Sequence, residues 1–185
     1  MRVIAGTAKG HRLRSPKRSP LRPTSELVRG AIFSLLESAA SDWSRVLDLY
    51  AGSGALGIEA LSRGAGWADF VEQEPRCCAI IKENLRRTGF VTRSHVYCTS
   101  AAKALSLLGE RYGIILLDPP YNNSSLPDMV DKLFSSGLVG EESTIVVEHS
   151  RRLPLKEAYG QFRRVRSLRH GDTCVSAYQC TGGEP

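Results

Sequence analysis

The chain has 185 residues, of which 42% are hydrophobic and 24% are charged, a composition typical of a globular domain with one core. It has no apolar run of the roughly 20 residues that a membrane span requires, and no signal-peptide core at its start, so we expect a cytoplasmic protein. The net charge of +6 is uneven: residues 1–30 carry +7, residues 31–150 carry −5 and residues 151–185 carry +4. Basic segments on both sides of an acidic centre favour binding of a polyanion, most simply nucleic acid. The alternative is that these charges only keep the surface solvated.

The cysteine and histidine residues show no spacing typical of a metal site or of a disulfide framework. The cysteine count is odd, and no C-x-x-C motif occurs. We therefore expect no bound metal and reduced, mostly buried thiols at Cys77, Cys78, Cys98, Cys174 and Cys180.

Residues 2–20 mix a short apolar segment with glycines, prolines and many bases, which predicts a loose β-hairpin followed by a loop. Thr24 is a suitable N-cap for a helix that extends to about residue 40, because apolar residues recur at helical spacing after it. The bases of this region predict contacts with phosphate groups, although a flexible basic tail or ordinary surface charge would have the same composition. The candidate RNA-contacting residues are Lys9, Arg12, Arg14, Arg22 and Arg29.

Residues 45–65 predict a strand, a tight glycine turn and a helix, an arrangement typical of nucleoside-type cofactor sites. The apolar strand is interrupted only by Asp48, and Gly52 and Gly54 permit the positive φ angles and close ligand approach that such a turn needs. The start of the following helix would present free N–H groups and a positive dipole end to the ligand.

The same glycines leave the choice of cofactor open. Gly52, Gly54 and Gly57 match G-x-G-x-x-G, and Glu72 lies twenty residues after Gly52, which is the spacing of a nicotinamide-dinucleotide fingerprint. Glu72 also ends the next predicted strand, where a carboxylate can accept hydrogen bonds from both ribose hydroxyls of any nucleoside cofactor. This stretch alone is therefore consistent with a dinucleotide and with a methyl donor.

The rest of the chain alternates between strand and helix patterns. Strands are predicted at residues 67–72, 95–98, 113–118 and 143–148, helices at 75–87, 101–109 and 126–136, and an antiparallel hairpin at 162–168 and 174–179. This order predicts a three-layer, Rossmann-like α/β fold with a mostly parallel sheet and an antiparallel C-terminal edge. Right-handed crossovers would bring the ends of the first, second and fourth strands to one edge.

The fourth strand ends in D-P-P-Y, which suits methylation of an exocyclic amine on a base. The lone pair of such an amine is delocalised into the ring, so hydrogen-bond acceptors on its N–H groups are needed to free it, and Asp118 and the Pro119 carbonyl can supply them. Pro119 and Pro120 restrict φ and remove competing donors, and Tyr121 offers a ring on which a flipped base can stack. The alternative is a strand-ending acid followed by a rigid turn.

This motif weakens the dinucleotide interpretation, because no hydride-transfer constellation follows the glycines. Asp48, an acid before the turn, is typical of S-adenosylmethionine sites and would meet the methionine end of the cofactor directly or through water. Its alternative role is to brace the loop or cap the helix. The predicted cofactor-binding residues are Asp48, Ala51, Gly52, Ser53, Gly54, Glu72, Gln73, Ser100, Ala101 and Asp118.

Further motifs lie along nearly the whole chain: M-R-V-I-A-G at the start, K-G-H-R-L at 9–13, R-P-T-S-E-L-V-R at 22–29, V-V-E at 146–148 and G-D-T at 171–173. With the glycine turn and L-D-P-P-Y, they make the sequence resemble the bacterial RsmD-type methyltransferases. These enzymes methylate the exocyclic 2-amino group of one guanine in small-subunit ribosomal RNA. The N-terminal motifs are the most specific, because the glycine turn and D-P-P-Y also occur in other amino methyltransferases.

The resemblance implies S-adenosylmethionine as cofactor, no metal, and 16S ribosomal RNA as partner, within a small subunit or its assembly intermediate. It implies an RNA-binding extension at residues 1–40 and a methyltransferase domain at 41–185, which we expect to act as a monomer. Two positions depart from the family pattern: Ser100 stands where an acid is common at the adenine contact, and His170 where a tyrosine often precedes G-D-T.

Two other functions remain open. One is a DNA adenine-amine methyltransferase, although 185 residues leave no sizeable target-recognition domain. The other is a non-catalytic RNA-binding or assembly factor on the same fold, which the intact D-P-P-Y and glycine turn argue against.

Overall fold

An eight-stranded β-sheet forms the centre of the protein in the computed structural model, which describes residues 1–16, 25–120 and 123–182. The strands are β1 (Arg45–Leu49), β2 (Trp67–Glu72), β3 (Ser94–Cys98), β4 (Tyr112–Leu117), β5 (Val139–Ser150), β6 (Ala158–Tyr159), β7 (Phe162–His170) and β8 (Thr173–Cys180). The helices are α1 (Glu26–Ala39), α2 (Ala55–Ser62), α3 (Pro75–Thr88), α4 (Ala101–Leu107) and α5 (Leu126–Phe134), with a 3₁₀ turn at Val91–Arg93.

The strands lie in the order β3-β2-β1-β4-β5-β8-β7-β6, and the first five of these are mutually parallel. The remaining strands pair antiparallel, so the predicted mostly parallel sheet with an antiparallel C-terminal edge is confirmed. Leu49, at the end of β1, pairs with Val71 of β2 and with Leu117 of β4. The ends of these strands therefore meet at one edge, here called the carboxyl edge, where open α/β sheets bind ligands.

Helices cover both faces of the sheet, which gives the three predicted layers. Helices α1, α2 and α3 pack on the face that includes Val46 and Phe70, and α4 and α5 pack on the face that includes Leu47 and Ile115. Because side chains alternate between the faces of a strand, a strand covered on both sides is expected to be mostly apolar. This explains the uninterrupted apolar sequence of β4, in which every residue is buried.

The N-terminal segment is docked on the first helical layer. Its predicted hairpin is present as an antiparallel bridge between Arg2 and Arg12. The buried carboxylate of Glu59 in α2 accepts the Ile4 N–H at 2.7 Å and the Ala5 N–H at 2.9 Å. A buried carboxylate needs such donors, so this contact attaches the hairpin firmly to α2.

Three local predictions need correction. Thr24 lies outside the described residues, and the N-cap of α1 is Ser25, whose Oγ accepts the Val28 N–H at 3.2 Å. Strand β5 extends beyond the predicted 143–148, because pairing with β8 continues as far as Ser150. The five thiols are free, but only Cys78 among them is fully buried.

Within the described ranges, no helix is long and apolar enough to cross a membrane. The same ranges hold no group of three His, Cys, Asp or Glu side chains that could bind a metal ion.

Candidate active site

The glycine turn between β1 and α2 lies at the carboxyl edge and has an unusual backbone. Tyr50, Gly52 and Gly54 have φ angles of 62°, 57° and 79°, which lie in the left-handed region that glycine adopts without strain. Gly57 serves packing instead, because a Cβ there would lie 2.3 Å from Cε1 of Phe70 in β2. The first two glycines therefore shape the turn, and the third lets α2 approach the sheet.

Asp48 is buried beneath this turn, with 1% of its surface exposed. Its Oδ2 accepts the Gly57 N–H at 2.9 Å, whereas its Oδ1 has no hydrogen-bond partner among the described residues. Burial, reinforced by the nearby charges of Asp118 and Glu72, raises the pKa of Asp48 to about 8. The loop-bracing role is thus observed, and one buried carboxylate oxygen remains unpaired.

Glu72, the last residue of β2, braces the turn from the other side. Its Oε2 accepts the Gly52 N–H and its Oε1 accepts the Glu74 N–H, both at 2.8 Å. Each carboxylate oxygen retains further acceptor capacity, and the residue is half-buried at the carboxyl edge. Glu72 can therefore hold the turn and still accept hydrogen bonds from a ligand.

Asp118 and Pro119, which begin the D-P-P-Y motif, follow β4 at the same edge. Asp118 and Pro119 are half-buried, and the Pro120 carbonyl accepts the Asn123 N–H at 2.9 Å in a closed turn. Leu49 pairs with Leu117, so Asp118 is level with Tyr50 at the start of the glycine turn, and its charge adds to the raised pKa of Asp48. Tyr121 lies outside the described residues, so its stacking role stays a prediction.

The other predicted cofactor residues lie at the same edge. Ala51 is buried and its N–H donates to the Val71 carbonyl. Ser53 is also buried. Gln73 is exposed just beyond β2, and Ser100 caps α4 by accepting the Lys103 N–H at 3.3 Å. Buried Ala101 begins that helix.

The predicted RNA-contacting bases do not all reach the surface. Lys9, Arg12 and Arg14 are exposed, and Arg22 lies outside the described residues. Arg29 is fully buried on the inner face of α1, where its Nη2 donates to the Arg2 carbonyl at 2.8 Å. The prediction that Arg29 contacts RNA is therefore wrong, and its burial lowers the pKa of its guanidinium.

Two residues at the site were missed from the sequence. Tyr50 is half-buried, and its hydroxyl hydrogen-bonds the side chain of Asn123, which joins the glycine turn to the loop after β4. Asn84 of α3 is buried and its Nδ2 donates to the carbonyls of Ser53 and Arg14 at 2.9 and 3.0 Å. Tyr50 lies within the strand–turn–helix stretch without a role predicted for it, and Asn84 belongs to no motif, so only the fold could reveal their contacts.

Comparison with known proteins agrees with this geometry. Residues 1–179 match the family model described as "Conserved hypothetical protein 95". The chain is 35% identical over 185 residues to a Bacillus subtilis protein named "Putative rRNA methyltransferase YlbH", covering 98% of this chain and all of the relative. It is 34% identical over 148 residues to the Escherichia coli protein named "Ribosomal RNA small subunit methyltransferase D", covering 80% of this chain and 74% of the relative.

The chain belongs to the RsmD-type family of methyltransferases. A solved Escherichia coli structure named "Putative methyltransferase yhhF" superposes on it with a TM-score of 0.86 at 29% identity, over 99% of both chains. The shared architecture confirms the Rossmann-like methyltransferase fold. In this fold the glycine turn after β1 and the Asp118 loop after β4 lie side by side, because Leu49 pairs with Leu117.

Proposed function

We propose that this protein transfers the methyl group of S-adenosylmethionine to the exocyclic 2-amino group of a specific guanine in 16S ribosomal RNA. The observation that carries the proposal is the position of Asp118 and Pro119 at the carboxyl edge, beside Asp48 and the glycine turn. The relatives named as ribosomal RNA methyltransferases support the same class of substrate. The enzyme would be an RNA (guanine-N2-)-methyltransferase acting on the small subunit or its assembly intermediate.

The residues at the glycine turn fit S-adenosylmethionine. Asp48 has a buried Oδ1 with no partner in the described chain, and the cationic amino group of the methionine moiety would satisfy that oxygen and stabilise its charge. We assign Glu72 to the ribose hydroxyls. Gly52 leaves open space above the turn, because a Cβ there would contact only the Tyr50 carbonyl oxygen at 4.0 Å.

The adenine side of the cofactor is assigned to Gln73, Ser100 and Ala101, which lie after β2 and β3 at the same edge. The Oγ of Ser100 caps α4. Where the family pattern commonly has an acid, this neutral residue can offer its hydroxyl and its backbone groups to the adenine. Ala51, Ser53 and Gly54 complete the turn.

The acceptor side is the loop after β4. When bound, the cofactor supplies a methyl group on a cationic sulfur, so a strong general base is not required. Asp118 and the Pro119 carbonyl accept the two N–H groups of the amine, which favours a pyramidal nitrogen with an available lone pair. Pro120 closes the turn through its carbonyl, and Tyr121 stacks on the guanine ring.

Ribosomal RNA would be held by the N-terminal extension at residues 1–40. The exposed side chains of Lys9, Arg12 and Arg14, together with Arg22, are the proposed phosphate contacts. Arg29 is excluded from this set by its burial.

The direct test is to incubate the protein with labelled S-adenosylmethionine and undermodified small ribosomal subunits, and to map the methylated nucleoside by mass spectrometry. We expect N2-methylguanosine at one site in 16S RNA. Transfer to duplex DNA but not to subunits would favour the adenine-amine alternative. An absence of cofactor binding in calorimetry would favour a non-catalytic factor.

The mechanism is tested by Asp118→Ala, with Asp128→Ala on the exposed side of α5 as the matched control. We expect Asp118→Ala to reduce kcat by at least about 100-fold, because orientation and acceptor contacts at the amine are lost, while the cofactor still binds. The control should keep parental activity. Full activity of Asp118→Ala would contradict the assignment.

A further inference from the structure

We propose that a second RNA-binding surface lies at the C-terminal side of the carboxyl edge, formed by Arg151, Arg152 and Arg169. We call these three residues the arginine tip. The inference rests on the proposed function and adds a contact for the phosphate backbone on the acceptor side of the site. The N-terminal extension would then hold the RNA from one side and the arginine tip from the other.

Strand pairing brings the arginine tip together from distant parts of the chain. Ser150 at the end of β5 pairs with Thr173 at the start of β8, and Thr173 pairs with His170 at the end of β7. The Arg151 N–H donates to the Asp172 carbonyl at 2.9 Å, which joins the segment after β5 to the β7–β8 turn. Two separate basic stretches of the sequence therefore form one surface.

The pairing also fixes the distance from the reaction centre. Leu117 pairs with Val147, so Asp118 is level with Glu148, and Arg151 lies three residues farther along the parallel strand direction. At about 3.3 Å per residue this is about 10 Å, and β7 lies three strands from β4, or about 14 Å at the usual strand spacing. These distances suit phosphates of nucleotides near the target base rather than the target itself.

The tip arginines carry charge that the protein does not neutralise. Of the bases after residue 150, Lys156 is paired with Asp131 at 2.6 Å and Arg164 is paired with Glu157. Within the described ranges, no ion pair engages Arg151, Arg152 or Arg169, and all three side chains are exposed. Asp172 is the one acid in the turn itself, so the surface keeps a net positive charge.

A buried histidine holds this surface in shape. The Nδ1 of His149 lies 3.1 Å from the carbonyl oxygens of Ser150 and Leu153, and its Nε2 lies 2.9 Å from the Ser176 Oγ. Carbonyls only accept, so Nδ1 carries the proton and Nε2 accepts from the hydroxyl. The turn that carries Arg151 and Arg152 is therefore braced against β8, and its charges are preorganised for a phosphate backbone.

The test compares two triple variants of the full-length protein. The tip variant carries Arg151→Ala, Arg152→Ala and Arg169→Ala. The control variant carries Arg86→Ala, Arg111→Ala and Arg163→Ala. These arginines are exposed and lie on the side opposite to the carboxyl edge, near the end of α3, before β4 and at the start of β7. Both variants lose the same net charge, so they differ only in where the charge was.

Methyl transfer to undermodified small subunits and filter binding to protein-free 16S RNA are measured at several salt concentrations. For the tip variant we expect at least a 10-fold higher KM with a nearly unchanged kcat. The slope of log affinity against log salt should fall in magnitude by about 2, whereas it should change little in the control. Cofactor titration and thermal unfolding verify that both variants are folded, and Arg152→Ala alone should give a smaller change in the same direction.

Equal KM values and equal salt slopes in the two triple variants would overturn the inference while leaving the proposed function intact. A loss of affinity for subunits without any loss for protein-free RNA would also overturn it, because the tip would then contact a ribosomal protein. A parent protein that methylates neither substrate would instead refute the proposed function.

Discussion

The pKa of Asp48 leads to a quantitative prediction for the cofactor-free protein. An ordinary aspartate has a pKa of 3.8, whereas burial raises that of Asp48 to about 8 in the folded state. Between these values the folded protein binds a proton that the unfolded chain has released, so stability falls as pH rises through this window. From pH 5 to pH 8 the loss amounts to about 4 kcal/mol, because each pH unit corresponds to about 1.4 kcal/mol.

Asp48→Asn removes this dependence. The amide oxygen of asparagine can still accept the Gly57 N–H, and the side chain carries no titrating proton. The unpaired amide NH₂ lowers the free energy of unfolding by the same amount at every pH. The informative quantity is therefore the difference between the two proteins in the slope of unfolding free energy against pH. Between pH 5 and pH 8, the free energy of unfolding of the variant should rise by about 4 kcal/mol relative to that of the parent.

The assay is urea denaturation of both proteins, without cofactor, at intervals from pH 5 to pH 9. Asp172→Asn, which changes an exposed acid at the same edge, controls for the loss of one surface charge. Parallel stability curves for the parent and Asp48→Asn would refute the reasoning, because they would mean that no buried proton is exchanged at this site.

The same residue links cofactor binding to pH. If the methionine amino group pairs with Asp48, the carboxyl group must ionise on binding, and the parent affinity for S-adenosylmethionine should rise as pH increases towards 8. Asp48→Asn should bind at least 10-fold more weakly at pH 8 and show little pH dependence. Titration calorimetry in buffers of different ionisation enthalpy would detect the released proton, and its absence would contradict the assignment.

Three further predictions concern the scaffold. Gly57→Ala should destabilise the protein by about 1–3 kcal/mol in urea, because its Cβ would lie 2.3 Å from Phe70, and a smaller residue at position 70 should restore part of the loss. Glu59→Ala should cost about 3–5 kcal/mol and expose the segment around Ile4 to proteases, whereas Glu59→Gln should cost less; unchanged proteolysis would contradict this. The parent should lose thermal stability below about pH 6.5, because burial lowers the pKa of His149 and the folded state resists protonation. His149→Gln should reduce this loss, and identical pH profiles of the two proteins would disprove the prediction.

Sequence patterns were sufficient for the five helices and the longer strands and for their order, whereas the two-residue strand β6 was not predicted. The continuous apolar run of β4 predicted a strand buried on both faces, and the glycines after β1 predicted the turn with positive φ angles. Both patterns act locally, because a strand buried on both faces is mostly apolar, and glycine adopts left-handed φ angles without the strain that a Cβ causes. The start of α1 was less certain, because serine and threonine are both good N-cap residues and stand next to each other at positions 24 and 25.

Only the tertiary structure determined which basic side chains are exposed and which of them share a surface. Arg29 and Arg12 belong to the same basic region of the sequence, yet Arg29 is buried on the inner face of α1, whereas Arg12 is exposed in the N-terminal hairpin. Arg151 and Arg169 are separated by 18 residues, and only the pairing of β5, β8 and β7 brings them to one surface at the carboxyl edge.

The active site divides in the same way. The sequence by itself identified the candidate groups, because Asp48, the glycine turn and Asp118-Pro119 each lie within a short motif of characteristic residue types and spacing. The tertiary structure decided the environment of those groups, including the unpaired Oδ1 of Asp48, its raised pKa and the link from Tyr50 to Asn123. Burial and contacts between distant residues depend on how the whole chain packs, and no local pattern encodes them.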